Sequence, residues 1–137
     1  MDWALQVKNG SMINTPNTYG IYMAKLCLEW LKEQGGVEGI YPVNVEKAKL
    51  LYDFLDESRL FKPCADREFR SLMNVTFVTG DADKDADFVK YCAAKGLVNL
   101  KGHRSVGGMR ASIYNAMPIE GVKKLVDAMK QYEAENA

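Results

Sequence analysis

The densest chemistry in this chain lies in ten consecutive residues, Lys101-Gly102-His103-Arg104-Ser105-Val106-Gly107-Gly108-Met109-Arg110. Four side chains that donate from a cationic or protonatable nitrogen are gathered there with no carboxylate among them. The glycines allow close backbone approach and positive φ, so amide N–H groups can converge on an anion. Arg104 and Arg110 each carry a planar fork of donors that matches a phosphate or a carboxylate. The glycine–lysine–hydroxyl order of a P-loop is absent. Two readings stay open at this level. One is an anion-binding loop, and the other is a hairpin whose glycines serve the turn and whose cations are solvated.

Other chemistry is sparse. His103 is the one histidine, and a lone histidine with no nominated Ser or Cys partner reads as a donor before it reads as a catalyst. Cys27, Cys64 and Cys92 are widely spaced and odd in number, which suits neither a disulfide framework nor a zinc site. The acidic stretch GDADKDAD (80–87) lacks the central glycine and final glutamate of a calcium loop and is read as a turn and helix start. No metal site is expected. Asn14-Thr15-Pro16 offers an amide and a hydroxyl on a proline-stiffened turn, but by itself it reads first as a plain helix entry. Arg70 is read as structural.

These residues need a scaffold. Asn17 or Thr18 caps a helix from about Thr18 to Gln34, stopped at Gly35-Gly36. Between Ile21 and Leu31 only Lys25 and Glu29 interrupt apolar residues, so the helix is apolar over most of its circumference and requires cover on two sides. A turn region containing Pro42 follows, with Asn44 capping a second helix over about Val45–Glu57. Leu60–Pro63 and Met73–Thr79 read as strands. Asp83 or Asp85 opens a third helix to about Lys95, ended by Gly96. Leu97–Leu100 is a short strand. Met109–Tyr114 alternates, sending Arg110, Ser112 and Tyr114 to one face and Met109, Ala111 and Ile113 to the other. Pro118 starts a last helix with Val122, Leu125, Val126 and Met129 as its buried stripe. The expected fold is α+β, a small, mainly antiparallel sheet with helices packed on one face, in a single domain over 1–137.

Composition limits the function classes. With 18 Lys plus Arg against 18 Asp plus Glu, the formal net charge is zero, which argues against an electrostatically driven nucleic-acid binder. At 47% hydrophobic and 26% charged residues the chain can build a core. No apolar run is long enough to span a bilayer, and the first residues lack a signal core. A reducing, cytoplasmic setting without membrane or nucleic-acid partners is expected.

The segments SMINTPNTYGIYM (11–23), WLKEQGGV (30–37), EKAKLLYDFLD (46–56), RSLMNVTF (70–77) and GLVNLKGHRSVGGMRASIYNAMPIEGVKKLVDAM (96–129) resemble, in order, the C-terminal small domain of the phosphoserine aminotransferases. These are pyridoxal-phosphate transaminases of fold type I. The resemblance implies a homodimeric enzyme of serine biosynthesis that converts 3-phosphohydroxypyruvate and glutamate to phosphoserine and 2-oxoglutarate. A phosphorylated hydroxythreonine precursor of vitamin B6 serves as a second substrate of some bacterial members. It further implies that His103 and Arg104 hold the substrate phosphate and that Arg110 holds the α-carboxylate. Asn14 and Thr15 would reach the cofactor phosphate of the neighbouring subunit. Asn17 stands where the family usually has a second proline. The family's Schiff-base lysine, its ring-stacking aromatic and the acid facing the pyridine nitrogen belong to an upstream large domain, and no lysine here sits in a matching stretch. The resemblance therefore implies a chain that is not catalytically competent alone. Two further functions remain open: a free-standing binding module for a phosphorylated amino acid, and a structural dimerisation domain.

Overall fold

The computed structural model describes residues 2–136. Its contacts divide the chain into two compact units, Met1–Glu38 and Gly39–Ala137.

The first unit is helical. Helix α1 (Trp3–Lys8) is a single short turn-and-a-half whose N-terminus is capped by Asp2, which accepts from the Leu5 amide at 3.2 Å. Helix α2 (Thr18–Glu33) starts where expected, and Asn17 is its cap, accepting from the Gly20 amide at 3.0 Å. A side-chain acceptor at this position satisfies one of the orphan amides of the first turn. The helix ends before Gly35, whose φ of 85° only glycine adopts without strain. None of its residues is buried. Tyr19, Ile21 and Leu28 are 76%, 61% and 65% exposed, so the apolar circumference read from the sequence has no cover among the described residues.

The second unit holds the sheet. Helix α3 (Gly36–Glu57) corrects the expected turn at Pro42 and the expected cap at Asn44: the chain is helical through both. Proline here removes the amide that would bond the Glu38 carbonyl, a loss of about 3 kcal/mol in an isolated helix. Tertiary packing overrides it, because Asn44, Lys47, Ala48, Leu51, Tyr52 and Leu55 form one continuous buried stripe. Asn44 is no cap; its amide donates to the Asn115 side-chain oxygen at 2.8 Å.

Strands β1 (Lys62–Pro63), β2 (Asn74–Val78) and β3 (Met109–Ser112) form an antiparallel sheet in the order β1-β2-β3. Thr76 lies opposite Arg110 and Asn74 opposite Ser112. The alternation read from the sequence holds: Met109, Ala111 and Ile113 are buried, whereas Arg110 and Ser112 are half-buried on the other face. Val75, Phe77, Met109 and Ala111 join Leu51, Leu55, Phe88, Cys92, Val122 and Met129 in one core. The helical contributions come from α3, from α4 (Ala82–Ala94) and from α5 (Ile119–Asn136). The α+β expectation, a small antiparallel sheet with helices on one face, is met.

Three boundaries differ from expectation. Asp81, not Asp83 or Asp85, caps α4, accepting from the Asp83 and Lys84 amides. Pro118 stands just before α5 rather than inside it. Leu97–Leu100 is no strand: Asn99 has φ 63°, which breaks an extended path. Only an isolated bridge of Lys101 with Met109 and the bond from the Arg110 amide to the Leu100 carbonyl, 2.7 Å, remain.

Lys47 joins α3 to the segment after β3. Fully buried, its ammonium donates to the carbonyls of Tyr114 at 2.8 Å and Met117 at 3.1 Å, with those of Ile113 and Asn115 further out at 3.4 and 3.5 Å. Among the described residues no carboxylate pairs with it, and burial lowers its pKa from the usual lysine value. Replacement Lys47→Met keeps the stem but strands those carbonyls. The expected cost is about 2 kcal/mol or more in urea unfolding, and an unchanged midpoint would contradict this role.

Alkaline stability has a worked sign. Burial pushes the Cys92 thiol up to about 11 and the Tyr132 phenol, which donates to Asp87 at 2.8 Å, up to about 12. Both are acids whose neutral form is favoured on folding, so their contribution is complete below their unfolded pKa values. It is lost as pH rises through the folded ones. Lys47, lowered instead, acts in the opposite sense. Unfolding midpoints should therefore fall between about pH 9 and pH 12, and the double variant Cys92→Ala/Tyr132→Phe should flatten that fall; an equally steep fall in the variant would refute the assignment.

Candidate functional site

The cationic segment folds as a tight hairpin leading into β3. The Gly102 amide donates to the Gly108 carbonyl at 2.9 Å, while the His103 carbonyl accepts from Val106 and Gly107 at 2.9 and 2.8 Å. Glycine is required at its neck. A Cβ on Gly102 would stand 2.1 Å from the Gly107 carbonyl oxygen, and one on Gly108 would meet Val78 at 2.7 Å. Two strands of the loop thus touch backbone to backbone, which fixes where the intervening side chains emerge.

What emerges is a set of nitrogen donors without an ion-pair partner among the described residues. Lys101, His103 and Arg104 line a cleft of about 530 Å³ between the hairpin and the face of α4 that carries Ala82, Ala86 and Lys90. Asp85 is the carboxylate of that cleft, and its oxygen is already taken by the Thr79 amide at 2.8 Å and the Thr79 hydroxyl at 2.7 Å. Among the described residues, ion pairs join Lys25 to Glu29, Lys49 to Asp53, and Arg67 and Arg70 to Asp56. None involves the hairpin. A cluster of exposed donors without an internal counter-ion is suited to hold an external anion.

Arg110 is not among the residues lining that cleft. It stands on the sheet face away from the core, opposite Thr76, and its Nε is buried without a partner. Asn74 lies diagonally beside it on β2 and accepts from the Tyr114 hydroxyl at 3.1 Å and, more loosely, from Ser112 at 3.4 Å. The hairpin therefore unites His103 with Arg104, and β3 carries Arg110 on a separate surface a few residues on.

Asn14 and Thr15 belong to the first unit. Both are exposed, and their side chains make no hydrogen bond among the described residues. The turn after them is closed by the Thr18 amide donating to the Pro16 carbonyl at 2.8 Å. An amide and a hydroxyl free of internal partners are neutral donors of the kind that fit a cofactor phosphate.

Arg70 is structural, as its sequence context suggested. It forms a two-point pair with Asp56 and lies over the Tyr52 ring, 4.5 Å from its centroid. Arg70, through its hydrogen bond above all, holds the Asp56 carboxyl below the usual range. Ser105 was missed by sequence reasoning. Its hydroxyl sits 2.6 Å from His103 Nδ1, a pairing that a spacing of two in a hairpin permits but does not announce. Among the described residues, no helix is long and apolar enough to cross a membrane.

Several known proteins are similar to this chain over most of its length. A phosphoserine aminotransferase of Bacillus cereus is 57% identical over 129 residues, 94% of this chain and 36% of its own length. One from Listeria monocytogenes is 55% identical over 132 residues, 96% of this chain and 36% of its own. Among solved structures, phosphoserine aminotransferase from Bacillus circulans subsp. alkalophilus matches with a TM-score of 0.92 at 44% identity, covering 98% of this chain and 38% of its own. A pyridoxal-phosphate-bound phosphoserine aminotransferase from Trichomonas vaginalis matches with a TM-score of 0.87 at 45% identity, over 94% of this chain and 37% of its own. The chain thus spans little more than a third of the length of these relatives. The family model for class-V aminotransferases matches residues 3–125, most of the sequence, and the chain belongs to that family.

Proposed function

We propose that this chain forms the C-terminal part of a cytoplasmic, homodimeric phosphoserine:2-oxoglutarate aminotransferase and supplies its substrate clamps. The observation that carries the reading is the hairpin's set of donors, Lys101, His103 and Arg104, left without a carboxylate partner beside a cleft. A phosphomonoester dianion supplies the missing charge. His103 and Arg104 hold the phosphate of phosphoserine or 3-phosphohydroxypyruvate. Arg110 pairs with the α-carboxylate, which glutamate and 2-oxoglutarate also carry. Holding a polyanion at both ends leaves its amino-bearing or keto carbon little freedom, which is how such residues lower a barrier without touching the reacting bond.

Asn14 and Thr15 would donate to the phosphate of pyridoxal phosphate in the neighbouring subunit. That cofactor, when bound, supplies the electron sink for moving an amino group between two acids. The lysine that anchors it is assigned outside this chain. Lys47 is committed to backbone carbonyls inside the core, and Lys101 lines the cleft that this reading gives to the phosphate.

The two clamps make separable demands. In the complete enzyme, Arg104→Ala should lower kcat/KM for phosphoserine on the order of a hundredfold, the loss of about 3 kcal/mol of charge-assisted bonding, while sparing glutamate. Arg110→Ala should depress both substrates by a similar factor. Near-normal efficiency with phosphoserine in both variants would refute the reading. The purified 137-residue chain should neither turn over glutamate with 3-phosphohydroxypyruvate nor retain cofactor absorbance after gel filtration; measurable turnover would place the missing lysine within it.

A further inference from the structure

His103 does not stand alone in the hairpin. Its Nδ1 lies 2.6 Å from the Ser105 hydroxyl and also receives the Ser105 backbone amide at 3.3 Å. A hydroxyl can donate or accept, but a backbone amide only donates. The amide therefore identifies Nδ1 as the lone-pair nitrogen of a neutral ring, with the Ser105 hydroxyl donating to it as well. One proton remains for the ring, and it sits on Nε2. Among the described residues the Ser105 amide has no other acceptor, because the turn is closed instead by Val106 and Gly107 donating to the His103 carbonyl. The two bonds also restrain rotation of an otherwise exposed ring.

From this geometry we infer that Ser105 is a positioning residue of the anion site: it holds His103 in the Nε2–H form and presents that N–H, beside Arg104, as a fixed donor to a phosphomonoester oxygen. The inference rests on the phosphate reading of His103 and Arg104 and extends it to specificity. A ring whose free nitrogen can only donate selects a ligand that can only accept, as a phosphomonoester dianion does. It discriminates against an ammonium group presented at the same point, which has no acceptor and would leave the N–H unpaired. Arg104 adds charge and reach, whereas the Ser105–His103 pair adds a direction. Because both residues are exposed, each bond competes with water, and the expected effect of losing one is modest.

His103 is the sole histidine, so its ring nitrogens are unambiguous in long-range proton–nitrogen correlation spectra of the 137-residue chain at mildly alkaline pH. The spectra should show Nε2 protonated and Nδ1 bare and hydrogen-bonded. Ser105→Ala should shift the Nδ1 signal and raise the Nδ1–H form, and Ser105→Thr should preserve the original pattern. In a titration with O-phosphoserine, with serine as the control, Ser105→Ala should bind about three- to tenfold more weakly, the range for one lost hydrogen bond, and Ser105→Thr should restore binding. Protonation at Nδ1 in the unsubstituted chain would overturn the inference while leaving the phosphate reading intact. So would an alanine variant unchanged in both ring signals and affinity. A ring in the expected state that responds no differently to O-phosphoserine than to serine would instead overturn the phosphate reading, and the role of Ser105 with it.

Discussion

The constraint on which the candidate site depends is the anchoring of β3 at both of its ends. At its start, the Gly102–Gly108 bond and the Arg110–Leu100 bond close the hairpin onto the strand. At its end, the buried Lys47 ammonium collects the carbonyls that follow the strand, and Asn44 grips Asn115 beside it. Between these anchors the sheet register places Arg110 opposite Thr76 with no freedom to slip, since a one-residue shift would exchange the buried Met109 and Ala111 for Arg110 and Ser112. An arginine in the carboxylate-holding role proposed for Arg110 must be held to within a fraction of an ångström. The core supplies that rigidity through a lysine that serves structure only.

Charge is distributed to the same end. The chain is neutral as a whole, yet several of its acids are occupied by the protein itself. Asp81 caps α4, Asp85 bonds Thr79, Asp56 holds Arg67 and Arg70, and Glu133 accepts from the turn at Ser58–Leu60. The hairpin cations have no such partner among the described residues. A zero sum therefore conceals a local imbalance.

Much of this was legible in the sequence. The alternation in Met109–Tyr114 named the buried and open faces of β3 because a strand's period is two and one face is fully covered. The clustering of Lys101, His103 and Arg104 pointed to the candidate cleft, and the long match around it named the family. The misreadings share a cause. Pro42 and Asn44 were taken at their local value, as breaker and cap, whereas the burial of Lys47, Ala48 and Leu51 made a continuous helix the better solution. Leu97–Leu100 looked like a strand by its apolar side chains, but Asn99 turns left-handed and its backbone finds only a bridge. The Ser105–His103 bond and the separation of Arg110 from the hairpin cleft are matters of side-chain direction, which spacing does not encode. The apolar α2 announced a need for cover that the described residues do not meet.

The central claim is that the hairpin holds a phosphate and β3 holds a carboxylate of one substrate. The most direct measurement is a crystal structure of the complete enzyme containing this chain, soaked with O-phosphoserine. The account requires the phosphate oxygens within hydrogen-bonding distance of His103 Nε2 and the Arg104 guanidinium, with the α-carboxylate on Arg110. A ligand whose phosphate lies away from His103 and Arg104 in every subunit would contradict it.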